Sequence, residues 1–510
     1  MIDIRQNLKK TGGIIPAITL TCAQIMRDHI IKSGMTISKI NASRITRILT
    51  HANPHIDEYM AALILRAALP DNKKLIPLDE TYLSSVNNDV RAKSSWPEAI
   101  LLGFGGAHDG GARAAVLIDE HTSDDKKAKA DSVTQMVCNK YLHGRMSPAL
   151  FHLIREVDHL DANGGAHDQN IGNYIKRVHS ADIFSGFDAD GNAMNDRMDS
   201  AWKEAAMYAC ITALILGEAD GLMYTSLKYW NEHAKKDVTE SLEFYRGHSA
   251  YRDNPDFPEV YGQILNFCTD NFVSMLKAKN AHLTSKNDDG TRSVLKDSKG
   301  NNIRQVMMMP YVASLCRKYW GEKLANILMF TFWDTKIQQN LTRLECLRAI
   351  EGVLAKYPGR DALNEPTPIG QVSILYAGHE VNGYPVVLID VSSTLQARDA
   401  MQGILNTTFG STGYTLFRNL DKNSPSLVFS RGKKAPADEW KLIVEELLRR
   451  DGSSDSRKRL GKWHIMKDPN GNFEVFILNG NAAHKYVQKV TRSPKGFLEL
   501  IKQAHAKVRC

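Results

Sequence analysis

The chain has 510 residues, of which 43% are hydrophobic and 24% are charged, and its formal net charge is +8. This length predicts about three domains rather than one core, and the composition is that of a globular protein. No apolar run approaches the roughly 20 residues that a membrane span needs, and no clear cleavage site follows the apolar patch near the N-terminus. We therefore expect neither a membrane segment nor a signal peptide.

The seven cysteines are scattered along the chain and include no Cys-x-x-Cys pair. This odd, unpaired distribution argues against a disulfide framework and against a thiolate zinc site. We expect a reducing cytoplasm as the location. An organelle is the alternative, because residues 1–46 are rich in Lys, Arg, Ser and Thr and poor in acidic residues, as transit peptides are.

Strands alternate with helices between residues 44 and 195, after an N-terminal extension over residues 1–43. An apolar run enters the polar turn at His51, and "DEYMAALILRAAL" then carries apolar residues at helical spacing. Two further strands are predicted over "AILLGFGG" and "AAVLIDEH", and two further helices over "SVTQMVCNKYL" and "PALFHLIREVDHL". This alternation predicts an α/β domain with a parallel sheet.

The middle of the chain, residues 196–360, has mainly helical periodicity. The polar stretch 283–302 interrupts it and predicts a loop or a hairpin. A linker is predicted over 358–368. A smaller, basic α/β domain follows at 366–510, with two hairpins and a closing helix that has a proline near its first turn.

Positive charge is concentrated near the C-terminus. Residues 431–510 contain 18 Lys and Arg but only 9 Asp and Glu. A basic domain suits a polyanion, although a solvated basic face explains the same composition. If nucleic acid binds here, we expect its phosphates to contact Arg431, Lys433, Lys434, Arg457, Lys458, Arg459 and Lys485.

Imidazoles and carboxylates follow each of the three predicted strands and recur in the next helix. The candidate ligands and polar groups are His51, His55, Asp57, Asp109, Asp119, Glu120, His121 and Asp158. Parallel strands gather such groups at their carboxyl edge, and this donor set suits Mn²⁺, Fe²⁺ or Zn²⁺. Each cluster alone is a weak signal, since Asp57 could simply cap the following helix. The joint pattern favours a metal site.

Four of these segments resemble, in order, the motifs of the DHH phosphoesterase superfamily. They are most similar to the metal-dependent hydrolase and exonuclease branch that is named after a melanocyte proliferation gene. The matching segments are "THANPHIDE" (50–58), "GFGGAHD" (103–109), "DEH" (119–121) and "DHLDANG" (158–164). The resemblance covers about residues 44–170. It differs at Gly103, where the branch has an aspartate that bridges two metals, and at Glu120, where it has a histidine.

The resemblance implies metal-dependent hydrolysis of phosphoesters, with Mn²⁺ as the first choice and Mg²⁺ or Zn²⁺ as alternatives. It implies metal ligation by His51, His55, Asp57, Asp109, Glu120 and Asp158. It further implies that His121 contacts the phosphate and that Asp119 orients the ligands. The substrate expected is a nucleic acid or nucleotide phosphoester.

Three functions remain open on this sequence. The first is a 3′–5′ exonuclease acting on RNA or short oligonucleotides. The second is a degenerate relative that binds nucleic acid or nucleotides without cleaving them, which Gly103 and Glu120 favour. The third is a hydrolase of small phosphoesters, such as cyclic dinucleotides or polyphosphate.

Overall fold

The computed structural model divides the chain into two compact units, residues 1–337 and 338–510. The boundary falls inside one long helix, Glu322–Lys356. The structure describes residues 2–38, 40, 45–51, 54–69, 79–81, 95–103, 113–118, 132–163, 171, 186–187, 193–194, 200–222, 226–247, 249–268, 272, 274, 282–286, 292–296, 300–303, 305, 307–358, 360–368, 370–376, 385–391, 414–419, 426–431, 436–451, 464–467, 473–479 and 494–509.

The first unit contains a four-stranded parallel sheet, in the spatial order β3-β2-β4-β5. These strands are β2 (Arg47–His51), β3 (Asp79–Thr81), β4 (Ser95–Leu102) and β5 (Arg113–Ile118). Short two-stranded pairings are formed by β1 (Thr36–Ile37) with β6 (Leu142–His143), β7 (Gly186–Phe187) with β8 (Ala193–Met194), and β9 (Thr284–Lys286) with β10 (Arg292–Val294). The parallel α/β arrangement that the sequence predicts for this region is therefore observed.

The helices of the first unit supply most of its core. In chain order they are α1 (Arg5–Thr11), α2 (Ile14–Lys32), α3 (Ile56–Ala68), α4 (Val133–Tyr141), α5 (Pro148–Asn163), α6 (Ser200–Ala219), α7 (Ser226–Tyr229), a π-helical turn (Trp230–Ala234), α8 (Lys235–Gly247), α9 (Ser249–Arg252), α10 (Phe257–Asn266), α11 (Met309–Trp320) and the part of α12 (Glu322–Lys356) that precedes residue 338. Helix α6 is nearly apolar all round because it packs against α2, α3, α5 and α11.

A buried ion pair joins two of these helices. Arg66 of α3 donates from Nη2 to Glu204 Oε1 of α6 at 2.5 Å, and its Nε lies 3.3 Å from the hydroxyl of Tyr208. Both charged side chains are at most 3% exposed. Burial of either charge without the other would be costly, so the two charges must stay together where α3 packs on α6.

The second unit is built on a seven-stranded sheet in the order β11-β12-β13-β14-β15-β17-β16. Its strands are β11 (Ala362–Thr367), β12 (Gly370–Tyr376), β13 (Pro385–Val391), β14 (Tyr414–Asn419), β15 (Ser426–Arg431), β16 (His464–Lys467) and β17 (Phe473–Asn479). The β13–β14 pair is parallel and the other pairs are antiparallel. Helices α13 (Ala437–Asp451) and α14 (Pro494–Arg509) pack against each other.

The linker prediction is wrong over residues 362–367, which form the edge strand β11. Its sequence lacks strand alternation, and its pairing with β12 shifts register between Ala362 and Glu365. Asn364 has a positive φ of 54°, and its N–H donates to the side-chain oxygen of Ser373 rather than to the ladder. The stretch 283–302, predicted as a loop or hairpin, includes the antiparallel pair β9–β10.

The described cysteines are Cys22, Cys138, Cys210, Cys268, Cys316 and Cys346, and all six are free and buried.

Within the described ranges, no helix combines the length and the apolar character needed to cross a membrane.

We expect Arg66→Ala to lower the free energy of unfolding by about 3–5 kcal/mol, because Glu204 would remain buried without its partner. Chemical denaturation checks this value. Lys236→Ala is the control, since it breaks the exposed pair with Glu240 and should change stability by under about 1 kcal/mol. Equal effects of the two substitutions would contradict the structural role of the buried pair.

Candidate functional site

The carboxyl edge of the parallel sheet leads directly into helix α3. Strand β2 ends at His51, and α3 begins at Ile56 with His55 as its N-cap residue. His55 and Glu58 form a reciprocal capping box, in which Glu58 Oε2 accepts from the His55 backbone N–H at 2.6 Å. Because the His55 side chain takes part in this cap, a metal-ligand role for it would require the cap to open.

Asp57 is fully buried and binds the first turn of helix α4. Its two carboxylate oxygens accept from the backbone N–H groups of Val133 at 2.9 Å and Thr134 at 2.8 Å. The Thr134 hydroxyl donates to the Asp57 carbonyl at 2.7 Å. The positive end of the α4 dipole thus faces a carboxylate, as electrostatics favours. Each oxygen keeps lone pairs, since a carboxylate offers about four acceptor sites.

Gly103 follows strand β4 and lies directly against Glu58. Its φ of +64° is in the left-handed region, and an added Cβ would stand 2.5 Å from Glu58 Oε1. Its N–H donates to Ile118 O, which keeps the end of β4 beside β5. The carboxylate of Glu58 therefore occupies the space where a side chain at position 103 would begin.

Asp158 of helix α5 is held by the N-cap residue of α4. The Ser132 hydroxyl donates a short hydrogen bond to Asp158 Oδ1, and Arg155 lies 3.6 Å from Oδ2. Asp57 and Asp158 thus contact consecutive residues at the start of one helix. This juxtaposition brings together two carboxylates that are 101 positions apart in the chain.

Negative charge accumulates around Asp57. Burial raises the pKa of its carboxyl well above the usual range, and the charges of Glu58 and Asp161 raise it further, while hydrogen bonds from Thr134 lower it. A cation near Asp57 would offset this repulsion, and oxygen donors suit Mn²⁺ and Mg²⁺. The chemistry of these donors therefore fits a hard divalent cation.

The described part of the chain does not by itself complete a metal centre. Within it, no three His, Cys, Asp or Glu side chains are arranged to hold a metal ion. The remaining predicted groups of this site, namely the His51 side chain, Asp109, Asp119, Glu120 and His121, lie outside the described residues. Their ligand and catalytic roles remain predictions.

Of the predicted nucleic-acid contacts, only Arg431 is described. It ends strand β15 opposite Tyr414 of β14, and its side chain is half-buried. Tyr414 donates to Glu439 Oε1 at 2.5 Å in the same core. The other predicted contacts, Lys433, Lys434, Arg457, Lys458, Arg459 and Lys485, lie outside the described residues.

Sequence reasoning missed the residues that hold the two aspartates. Ser132 and Gln135 fit the Ser-x-x-Gln pattern of a helix start, and the Gln135 N–H does donate to Ser132 Oγ at 3.2 Å. That pattern could have located the first turn of α4. It carries no information about which carboxylates, from α3 and α5, would meet this turn.

No family model matches this chain, and no curated protein matches it. Among solved structures, it is similar to a pGpG-specific phosphodiesterase from Vibrio cholerae. The alignment has 9% identity and a TM-score of 0.29, and it covers 90% of this chain and 99% of that one. So low a TM-score does not establish a common fold.

We expect Gly103→Ala to destabilise the protein more than Gly12→Ala. Both glycines have a positive φ, so both substitutions incur the left-handed penalty of about 1–2 kcal/mol. Nothing lies within 4 Å of a Cβ added at Gly12, whereas Glu58 must move at Gly103. Chemical denaturation gives the free energy of unfolding of both variants, and the difference between them is the effect of the contact with Glu58. Equal losses of stability would show that Glu58 moves aside without an energetic cost.

Proposed function

We propose that this protein is a metal-dependent phosphoesterase that hydrolyses phosphodiester bonds, acting as a 3′–5′ exonuclease on RNA or short oligonucleotides. The observation that supports the proposal best is the meeting of Asp57 and Asp158 at the first turn of α4. The four-motif resemblance assigns both residues to metal ligation. Asp57 also follows a strand at the carboxyl edge of the parallel sheet, where α/β proteins place their ligands.

In this proposal, Asp57 and Asp158 hold the cation together with the predicted ligands His51, Asp109 and Glu120. A divalent cation, when bound, lowers the pKa of a coordinated water and offsets phosphate charge. The amides of Val133 and Thr134 keep the Asp57 carboxylate oriented. Glu58 adds a carboxylate beside Gly103, at the position where the branch has its bridging aspartate. His121 contacts the phosphate in this scheme, and Asp119 orients the ligands.

The first test is hydrolysis of single-stranded RNA, single-stranded DNA and a cyclic dinucleotide with Mn²⁺. We expect RNA to be shortened from its 3′ end. Asp158→Asn should reduce the rate by about 100-fold or more, the scale on which single electrostatic groups act in catalysis. This substitution keeps an oxygen that can accept from Ser132, so the fold should persist. Asp253→Asn is the control, because the Asp253 side chain is 71% exposed in the wild-type protein.

The outcomes separate the candidate functions. Cleavage of the cyclic dinucleotide alone would replace the exonuclease proposal with a small-molecule hydrolase. Binding of RNA without hydrolysis by the wild-type protein would favour the degenerate binder. Hydrolysis that Asp158→Asn leaves unchanged would remove the proposed metal site from the reaction.

We also propose that the basic C-terminal segment contacts the phosphates of the substrate. Combined Lys433→Ala and Lys434→Ala substitutions should weaken RNA binding. They should also reduce the steepness of log K against log salt concentration by about 1–2, because a protein that contacts fewer phosphates releases fewer counterions when it binds. The matched control is the pair Lys235→Ala and Lys236→Ala, exposed neighbours in α8. An identical salt slope in both double variants would contradict this role.

A further inference from the structure

The first turn of helix α4 uses consecutive residues to hold different carboxylates. Ser132 donates through its hydroxyl to Asp158, whereas Val133 and Thr134 donate through their backbone N–H groups to Asp57. Asp57 belongs to α3 and Asp158 to α5. One helix terminus therefore fixes two side chains that come from two other helices.

Ser132 accepts one hydrogen bond and donates another to Asp158. Ser132 is the N-cap residue, with φ −57° and ψ 160°, and its oxygen accepts from the Gln135 N–H at 3.2 Å. A hydroxyl has one proton, and here the acceptor role is taken by the cap. The Ser132 hydroxyl can therefore accept from the Gln135 N–H and donate to Asp158 at the same time.

The pKa of the buried Cys138 thiol, on the same helix, is affected by both carboxylates. Burial raises the pKa of Cys138, and the charges of Asp158 and Asp57 raise it further, in that order. Cys138 lies in α4, beyond the turn that begins at Val133.

We propose that the first turn of α4 is the positioning element of the candidate metal site, in which Ser132 is the positioning residue for Asp158 and the N–H groups of Val133 and Thr134 orient Asp57. This inference rests on the proposed function. Two carboxylates that approach one cation repel each other before it binds. Donors placed in advance reduce the cost of bringing them together, and the dipole of α4 adds positive charge at the same place.

The test measures Mn²⁺ affinity by titration calorimetry on the full chain, independently of any catalytic assay. Ser132→Ala should weaken Mn²⁺ binding by about 10–100-fold, the usual effect of removing a group that orients a ligand. Ser132→Thr keeps a hydroxyl and the cap, and it should restore affinity to within about threefold of wild type on the same reasoning.

Ser147→Ala is the matched control. Ser147 accepts from the Leu150 N–H at 3.2 Å at the start of α5, as Ser132 does from Gln135. Its second partner is His29 rather than a carboxylate of the candidate site. The Ser147→Ala and Ser132→Ala proteins should lose similar thermal stability, but only Ser132→Ala should lose Mn²⁺ affinity.

Val133→Pro tests the contact with Asp57 in a second way. Proline is favoured at the first position of a helix, and the extended ψ of Ser132 suits a following proline. The substitution removes the N–H that donates to Asp57 Oδ2 while leaving α4 able to form. We expect Val133→Pro to lose Mn²⁺ affinity. We also expect it to retain its helical content, which circular dichroism measures.

The failures are distinguishable. Wild-type affinity in both Ser132→Ala and Val133→Pro would overturn the positioning role and leave the proposed function standing. Equal loss of affinity in Ser147→Ala and Ser132→Ala would also overturn it, because the effect would then be general destabilisation. A wild-type protein that binds no Mn²⁺ would overturn both this inference and the metal-dependent function.

Discussion

The contact between the Asp57 carboxylate and the first two amides of helix α4 organises the candidate site. It is buried, so each of its hydrogen bonds would be costly to leave unmade. It also joins a residue that follows strand β2 to a helix that begins 76 residues later in the chain. The contact places the Asp57 carboxylate at the start of α4, next in sequence to Ser132.

The same contact explains how unfavourable charge is tolerated in the first unit. The charges of Glu58 and Asp161 act on Asp57, whose own burial already disfavours its charged form. The amides of α4 and the capping box of α3 offset part of that cost through hydrogen bonds to carboxylates. The buried pair of Arg66 and Glu204 has no excess negative charge, because its charges cancel.

The structure shows what glycine at position 103 makes possible. In the sequence, this glycine is a difference from the motif that the segment resembles. In the fold, its left-handed backbone and absent side chain leave room for Glu58, whose Oε1 atom lies 2.5 Å from where a Cβ would stand. The carboxylate of Glu58 is thus supplied from helix α3 to the end of β4, so a negative group is present at this edge of the sheet despite the glycine.

The sequence alone determined the secondary-structure elements around the site. Periodicity located β2, α3, α4 and α5, because apolar spacing reflects local geometry and burial. It failed at β11, whose irregular pairing depends on Asn364 and Ser373 rather than on alternation. Only the tertiary structure decided that Ser132 meets Asp158, that the α4 amides meet Asp57, and that Glu58 covers Gly103. These contacts join segments far apart in the chain, and their partners are set by how helices pack on the sheet, which no local pattern encodes.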